Sequence, residues 1–225
     1  MMFRTACTKM QIISLRLFVS DCIIFKLFKN EVIFMCNVKH NPGSPPGKFA
    51  QGDKTVTESI DIVTERVVKY MIARGVSFAT AESCTGGLLA EKFTSVPGAS
   101  AVFRGGVVSY TEDVKQRVLG VKESTLAEHT VYSPQVASEM SRGVMELMGS
   151  DASAGVTGIA GPSGGTKEKP VGTVYVSVRF KDSEAVSDLR LYEGYADTDR
   201  ETIRLMTAQR TFEMLEKLLK ESEGM

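Results

Sequence analysis

The chain has 225 residues, enough for one domain with its own core and no need of disulfides or metal to hold it. Its 43% hydrophobic and 24% charged content is that of an ordinary globular protein, and its net charge of zero is uneven: seven Lys/Arg against two Asp/Glu in residues 1–50, then 20 against 25 in 51–225. A mildly acidic body without Trp or basic-aromatic interleaving excludes a broad nucleic-acid footprint, and two histidines, His40 and His129, leave little material for a His-rich metal site or a histidine triad.

The four cysteines (Cys7, Cys22, Cys36, Cys84) form no C-x-x-C pair, and Cys84 stands alone in the body, so a reducing, cytoplasmic setting is expected. Residues 11–35 are apolar, but Arg16, Asp21, Lys26, Lys29 and Glu31 break every window that a spanning helix would need, and no membrane partner is expected. Residues 1–54 are expected to be a basic, disordered extension, with an alternative start at a later Met such as Met35, ending in the Pro/Gly-rich linker "HNPGSPPGKFAQGDK". The domain proper is then 55–225.

Thr55 or Thr57 is expected to cap a helix that runs to Arg74, with Gly75 as its stop. Val76–Ala81 follows as a short strand, then a helix Leu88–Thr94 whose first turn is Thr85-Gly86-Gly87. Ala101–Tyr110 is expected as a strand whose Gly pair marks a bulge. Short helices at Glu112–Leu119 and Glu123–Glu128 precede a strong helix at Pro134–Met148, capped by Ser133. The segment from Asp151 holds a buried strand, a glycine-rich loop and a strand at Thr173–Phe180 with Ala185–Tyr192 as its hairpin partner. Thr198–Leu219 closes the domain as an amphipathic helix. Interleaved helices and strands with a late hairpin define the expected fold class, α/β, a three-layer α/β/α sandwich around a mixed β-sheet.

The stretch "AESCTGG" lies between a strand and a helix, at the carboxyl end of a sheet strand, where α/β proteins bind ligands. Ser83, Cys84 and Thr85 are therefore candidate site residues, although an N-cap serine beside a small buried cysteine satisfies the same letters. Gly86 and Gly87 each cost about 1 kcal/mol relative to Ala in a helix, and open backbone N–H groups at a helix start would suit a phosphate or an oxyanion. The second loop, "TGIAGPSGG" (Thr157, Gly158, Ile159, Ala160, Gly161 onward), matches neither the Walker pattern nor G-x-G-x-x-G. If Ser83 attacks a carbonyl it needs a base. Lys115, one turn into the helix after Tyr110, can serve if burial keeps its amine uncharged.

"TAESCTGG", "GGVVSYTEDVKQRVLGV", "VYSPQVASEM" and "VTGIAGPSGGTKEKPVGTVYVSV" together resemble the CinA C-terminal domain family, the nicotinamide-nucleotide amidohydrolases, over about residues 57–220. The resemblance implies hydrolysis of the carboxamide of nicotinamide mononucleotide to nicotinate mononucleotide and ammonia, without metal or other cofactor. In that reading Ser83 is the nucleophile, Lys115 its base and Tyr110 a polar group that orients or relays the proton. The Gly86-Gly87 turn or the Gly158–Gly161 loop would supply donors. "GYADTDRETIR" makes Arg200 and Arg204 candidates for the ribose phosphate, with the family's Gly-Asp-Arg order spread from Gly194 to Asp199-Arg200. The partners it implies are a small-molecule nucleotide and a second copy of the chain, a homodimer. The alternative is a non-catalytic nucleotide-binding or regulatory module linked to competence or DNA damage, and a minor variant makes Cys84 the nucleophile.

Overall fold

The computed structural model describes residues 26–28, 31–33, 59–191, 193 and 199–222. Most of the expected 1–54 extension and linker lies outside the described residues. Within it, β1 (Lys26–Phe28) and β2 (Glu31–Ile33) pair antiparallel as a small ribbon, a unit separate from the body.

The body opens with α1 (Ile60–Arg74). Its cap is Ser59, whose hydroxyl accepts from the Asp61 N–H, rather than Thr55 or Thr57, and Gly75 closes it in the left-handed conformation. Then come β3 (Phe78–Glu82), α2 (Leu88–Thr94), a 3-10 turn at Ala99–Ala101, β4 (Phe103–Val108), α3 (Glu112–Leu119), α4 (Glu123–His129), α5 (Pro134–Met148), β5 (Ala152–Gly158), β6 (Val174–Phe180), β7 (Ser183–Asp188) and α6 (Arg200–Glu221). No described helix is long and apolar enough to cross a membrane.

The sheet order is β4-β3-β5-β6-β7, with β3 parallel to β4 and β5, and β6 and β7 antiparallel. The expected bulge lies in β4: Phe78 pairs with Phe103 and Ala79 with Gly105, so Arg104 has no partner residue on β3. The expected hairpin partner of β6 is displaced. β7 starts at Ser183 because the chain reverses at Lys181-Asp182, where Lys181 adopts φ 51°, and not in a longer loop.

Strand alternation sets up three layers. Phe78, Ala154, Val156, Val176 and Val178 face one side and join Val67, Met71, Phe93, Phe212 and Leu215 of α1, α2 and α6. Ala79, Ala81 and Val107 face the other side and pack on Leu119, Val136, Met140 and Val144 of α3 and α5. Small residues on the second side let α5 approach closely.

The chain leaves β3 to one side to build β4, then returns through α3–α5 to build β5 on the other side. That reversal of direction places a crevice at the carboxyl ends of β3, β4 and β5, the usual ligand position in open α/β sheets.

The position of α3 in this frame depends on Gly143 of α5. A Cβ there would lie 1.9 Å from the Leu119 carbonyl oxygen at the end of α3. Gly143→Ala is therefore expected to cost about 1–3 kcal/mol through overpacking, read as a lower Tm by roughly 2–4 °C per kcal/mol for a domain of this size. An unchanged melting curve would show that α3 shifts freely.

Candidate active site

Three strand ends build the site. The Ser83 N–H donates to the Val156 carbonyl of β5, and the Ser109 N–H donates to the Glu82 carbonyl, so the turn after β3 is suspended between its two neighbours. Ser83 is buried at 7% exposure and Lys115 at 0%. Lys115, on the inner face of α3, brings its Nζ to 3.0 Å from Ser83 Oγ and 2.5 Å from the Ser109 carbonyl oxygen. Removing the amine from water costs most in its charged form, so burial lowers its pKa from 10.5 to about 8, with Cys84 and Glu112 acting in the opposite sense. An uncharged amine has a lone pair, and the Ser83 contact can then run from Oγ–H to Nζ.

The glycine turn is organised differently from the sequence expectation. Gly86 (φ 60°) and Gly87 (φ 96°) take left-handed conformations, so Thr85-Gly86-Gly87 is a tight turn before α2 and not its first helical turn. Its open end is already filled. Glu82, fully buried, turns its carboxylate onto the start of α2 and accepts from the N–H groups of Gly87 (3.0 Å), Leu89 (3.0 Å) and Ala90 (2.9 Å) and from the Thr80 hydroxyl (3.3 Å). The Gly86 N–H donates to the Ser83 carbonyl. The donors that sequence reasoning offered to a ligand at Gly86 and Gly87 are therefore occupied within the protein. The N–H groups of Cys84 and Thr85 are engaged by no carbonyl or carboxylate of the described residues. Burial raises the Glu82 carboxyl above its ordinary range, while the backbone donors act against that.

A cavity of about 440 Å³ opens over the pair. Ser83, Cys84, Tyr110, Lys115, Gly158, Ile159, Ala160, Gly161 and Arg200 line it, which gathers most of the candidate residues in one place. Tyr110 stands at the rim, and its hydroxyl accepts from Arg200 Nη2 at 2.7 Å; no hydrogen bond joins it to Ser83 or Lys115. Arg200 Nη1 donates to the Gly161 carbonyl at 2.6 Å, so this guanidinium bridges two sides of the cavity.

Besides Gly86 and Gly87, three candidates do not line the cavity. Arg204 donates twice to the Thr85 carbonyl, at 3.1 and 2.7 Å, and braces the turn from α6. Thr157 is fully buried and donates to the Val131 carbonyl at 2.8 Å, tying β5 to the segment before α5. Thr85 is buried beside Glu82. Of the "GYADTDR" stretch, residues 194–198 lie outside the described residues, and Asp199 caps α6 by accepting from the Thr202 N–H. Cys84 lines the cavity, but burial pushes its thiol up to about 12, so it is not a thiolate near neutrality.

Sequence reasoning missed Glu82, Glu112, Val131 and Ser163. Glu82 had a signal: an acid at a strand end directly before a glycine turn and a helix start.

A mixed five-stranded α/β sheet with a buried serine–lysine pair in a crevice at its switch point defines the class, an α/β protein with a built polar site at its strand ends. The chain belongs to the CinA C-terminal domain family, whose model matches residues 60–219. A protein of Caldanaerobacter subterraneus subsp. tengcongensis named as competence-damage inducible is 48% identical over 155 residues, 69% of this chain and 36% of its own length. The CinA-like protein of Desulfotalea psychrophila is 41% identical over 172 residues, 76% of this chain and 40% of its own. The chain thus spans well under half the length of these curated relatives. Among solved structures, the competence/damage inducible protein CihA from Agrobacterium tumefaciens matches with TM-score 0.68 at 36% identity, over 74% of this chain and 99% of that one. The competence damage-inducible protein A of Klebsiella pneumoniae matches with TM-score 0.68 at 32% identity, over 72% and 98%.

The buried amine has a stability consequence whose sign is fixed. The folded pKa of Lys115 lies below the unfolded one, so the unfolded chain binds more protons; the penalty is fully present below about pH 8 and fades as pH rises toward 10.5. In full it is on the order of 3 kcal/mol, most of which is lost between pH 7 and pH 10. The Tm of Lys115→Met minus that of wild type is expected to fall by roughly 5–10 °C between pH 7 and pH 10. A gap independent of pH would mean the amine carries no such penalty.

Proposed function

We propose that this chain is an amidohydrolase that converts the carboxamide of nicotinamide mononucleotide to the carboxylate, releasing ammonia. The observation that carries this reading is the 3.0 Å contact between Ser83 Oγ and a buried Lys115 Nζ whose pKa is brought to about 8. The residues that carry the resemblance to nicotinamide-nucleotide amidohydrolases support it. An amide resists attack by resonance, so a nucleophile alone is insufficient; the oxyanion must be met by donors and the departing nitrogen must receive a proton.

The site's parts fit those needs. Ser83 Oγ attacks the carboxamide carbon as its proton passes to the uncharged Lys115 Nζ. The N–H groups of Cys84 and Thr85 are the turn's remaining donors for the oxyanion. Collapse breaks the C–N bond, and the Lys115 ammonium returns its proton to the leaving nitrogen, which departs as ammonia. A water, deprotonated by the same amine, then hydrolyses the Ser83 ester and frees the acid.

Arg200, held between Gly161 and Tyr110, is in this reading the guanidinium that meets the phosphate, and binding would exchange these neutral partners for a charge-assisted fork. Arg204 supports the Thr85 turn instead. Tyr110 then acts through Arg200 at the rim. A second copy of the chain and a cytoplasmic setting belong to the same reading. The names of the relatives favour a second one, a regulatory module linked to competence or DNA damage, but such a module has no use for a lysine held against a serine hydroxyl.

Incubating the protein with nicotinamide mononucleotide is expected to release ammonia and the acid in equal amounts. Ser83→Ala should lose at least ~10³-fold in kcat while still binding substrate. kcat/KM should rise with pH through about 8, because the protonated amine cannot accept the serine proton. Turnover unchanged in Ser83→Ala would remove the serine from the reaction.

A further inference from the structure

One carboxylate lines the cavity and takes no part in the proposed chemistry. Glu112 opens α3 three residues before Lys115, so both side chains lie on one helix face. One turn separates them, ~5.4 Å along the axis. Glu112 lines the cavity over Ser83 and also an adjoining one of about 500 Å³ that shares Val131, Tyr132 and Ile159 with it.

Its neighbour Asp113 is held by the Thr111 hydroxyl and by Arg117. Glu112 makes no hydrogen bond or ion pair among the described residues. An acid in a first helical turn is favoured by the helix dipole, and Asp113 already meets that preference. What sets Glu112 apart is its placement on the cavity face without a partner.

Among the residues that line the main cavity, Glu112 is the one acid, against the cations Lys115 and Arg200. Its charge reaches the reacting pair, since it raises the proton affinity of Lys115. Above about pH 8, where Lys115 sheds its charge, the cavity presents a negative group on α3 and a positive one at Arg200. That pattern suits a ligand carrying both charges.

We propose that Glu112 recognises a positive charge on the ring that bears the carboxamide, a quaternised pyridinium, and so sets a preference for cationic over uncharged carboxamides. The inference rests on the amidase reading above. A carboxamide carbon within reach of Ser83 Oγ brings its ring beside α3, and in a nicotinamide the quaternary nitrogen is two bonds from the ring carbon that carries the carboxamide. The ring stays cationic through attack and collapse, so Glu112 stabilises ground state and transition state alike. Its effect belongs in KM and not in kcat.

The test compares wild type and Glu112→Gln in steady-state turnover of nicotinamide mononucleotide and in inhibition by its reduced form, whose dihydropyridine ring is uncharged while ribose and phosphate are kept. Glu112→Gln is expected to raise KM for the oxidised form about fivefold, the scale of a partly solvated ion pair, with kcat within about twofold of wild type. The inhibition constant of the reduced form should stay where it is, so that selectivity between the two falls by the same factor. Charge reversal in Glu112→Lys should raise KM further. An unchanged KM in Glu112→Gln, or a parallel rise in KM and in the inhibition constant, would overturn the charge recognition while leaving the amidase reading intact. Wild-type protein that releases no ammonia from the oxidised form would overturn both.

Discussion

An amine that holds its proton less tightly than a solvated lysine is the constraint around which this site is arranged. Lys115 is enclosed by α3, the end of β4 and the turn after β3, and two oxygens, Ser83 Oγ and the Ser109 carbonyl, lie within hydrogen-bond distance of its Nζ. Solvation would stabilise the ammonium; burial brings the neutral form within reach at about pH 8. The cost is borne by the rest of the fold, through the two apolar clusters on either side of the sheet.

The second organising feature is the carboxylate of Glu82. Helix starts attract anions, and here the chain supplies its own, with three backbone N–H groups of α2 and the Thr80 hydroxyl satisfied by one buried side chain. This rigidifies the turn that carries Ser83 and closes that helix end to an incoming phosphate. Positive charge at the cavity is instead carried by α6, which brings Arg200 across to Gly161 and Tyr110. Two arginines one helical turn apart thus have separate tasks: Arg200 faces the cavity and Arg204 holds the Thr85 carbonyl.

Much of the fold was legible before the structure. The boundaries of α3 and α5 match the expectation, with Ser133 capping α5, and a bulge lies in β4 beside its glycine pair, whereas the expected first turn of α2 is a left-handed turn. Local misreadings occurred where two signals competed. Ser59 outcompeted Thr55 and Thr57 as the cap of α1, and a two-residue reversal at Lys181-Asp182 drew β7 forward. At the site, Ser83, Lys115 and the Gly158–Gly161 loop could be named because each follows a strand or sits on a helix beside one.

The sequence by itself determined the α/β class, the positions of the strand ends and the residue types available there, because propensity, capping and turn chemistry act over a few residues. Tertiary structure alone decided which of those residues meet. Only the close packing of α3 on α5 brings Lys115 to a serine 32 positions away, only the parallel pairing of β3 with its two neighbours makes room for the cavity, and only the approach of α6 distinguishes Arg200 from Arg204. The occupation of the α2 start by Glu82 is of the same kind: the letters place an acid before a glycine turn, but its burial, and hence its hold on the helix, exists only once the layers have closed.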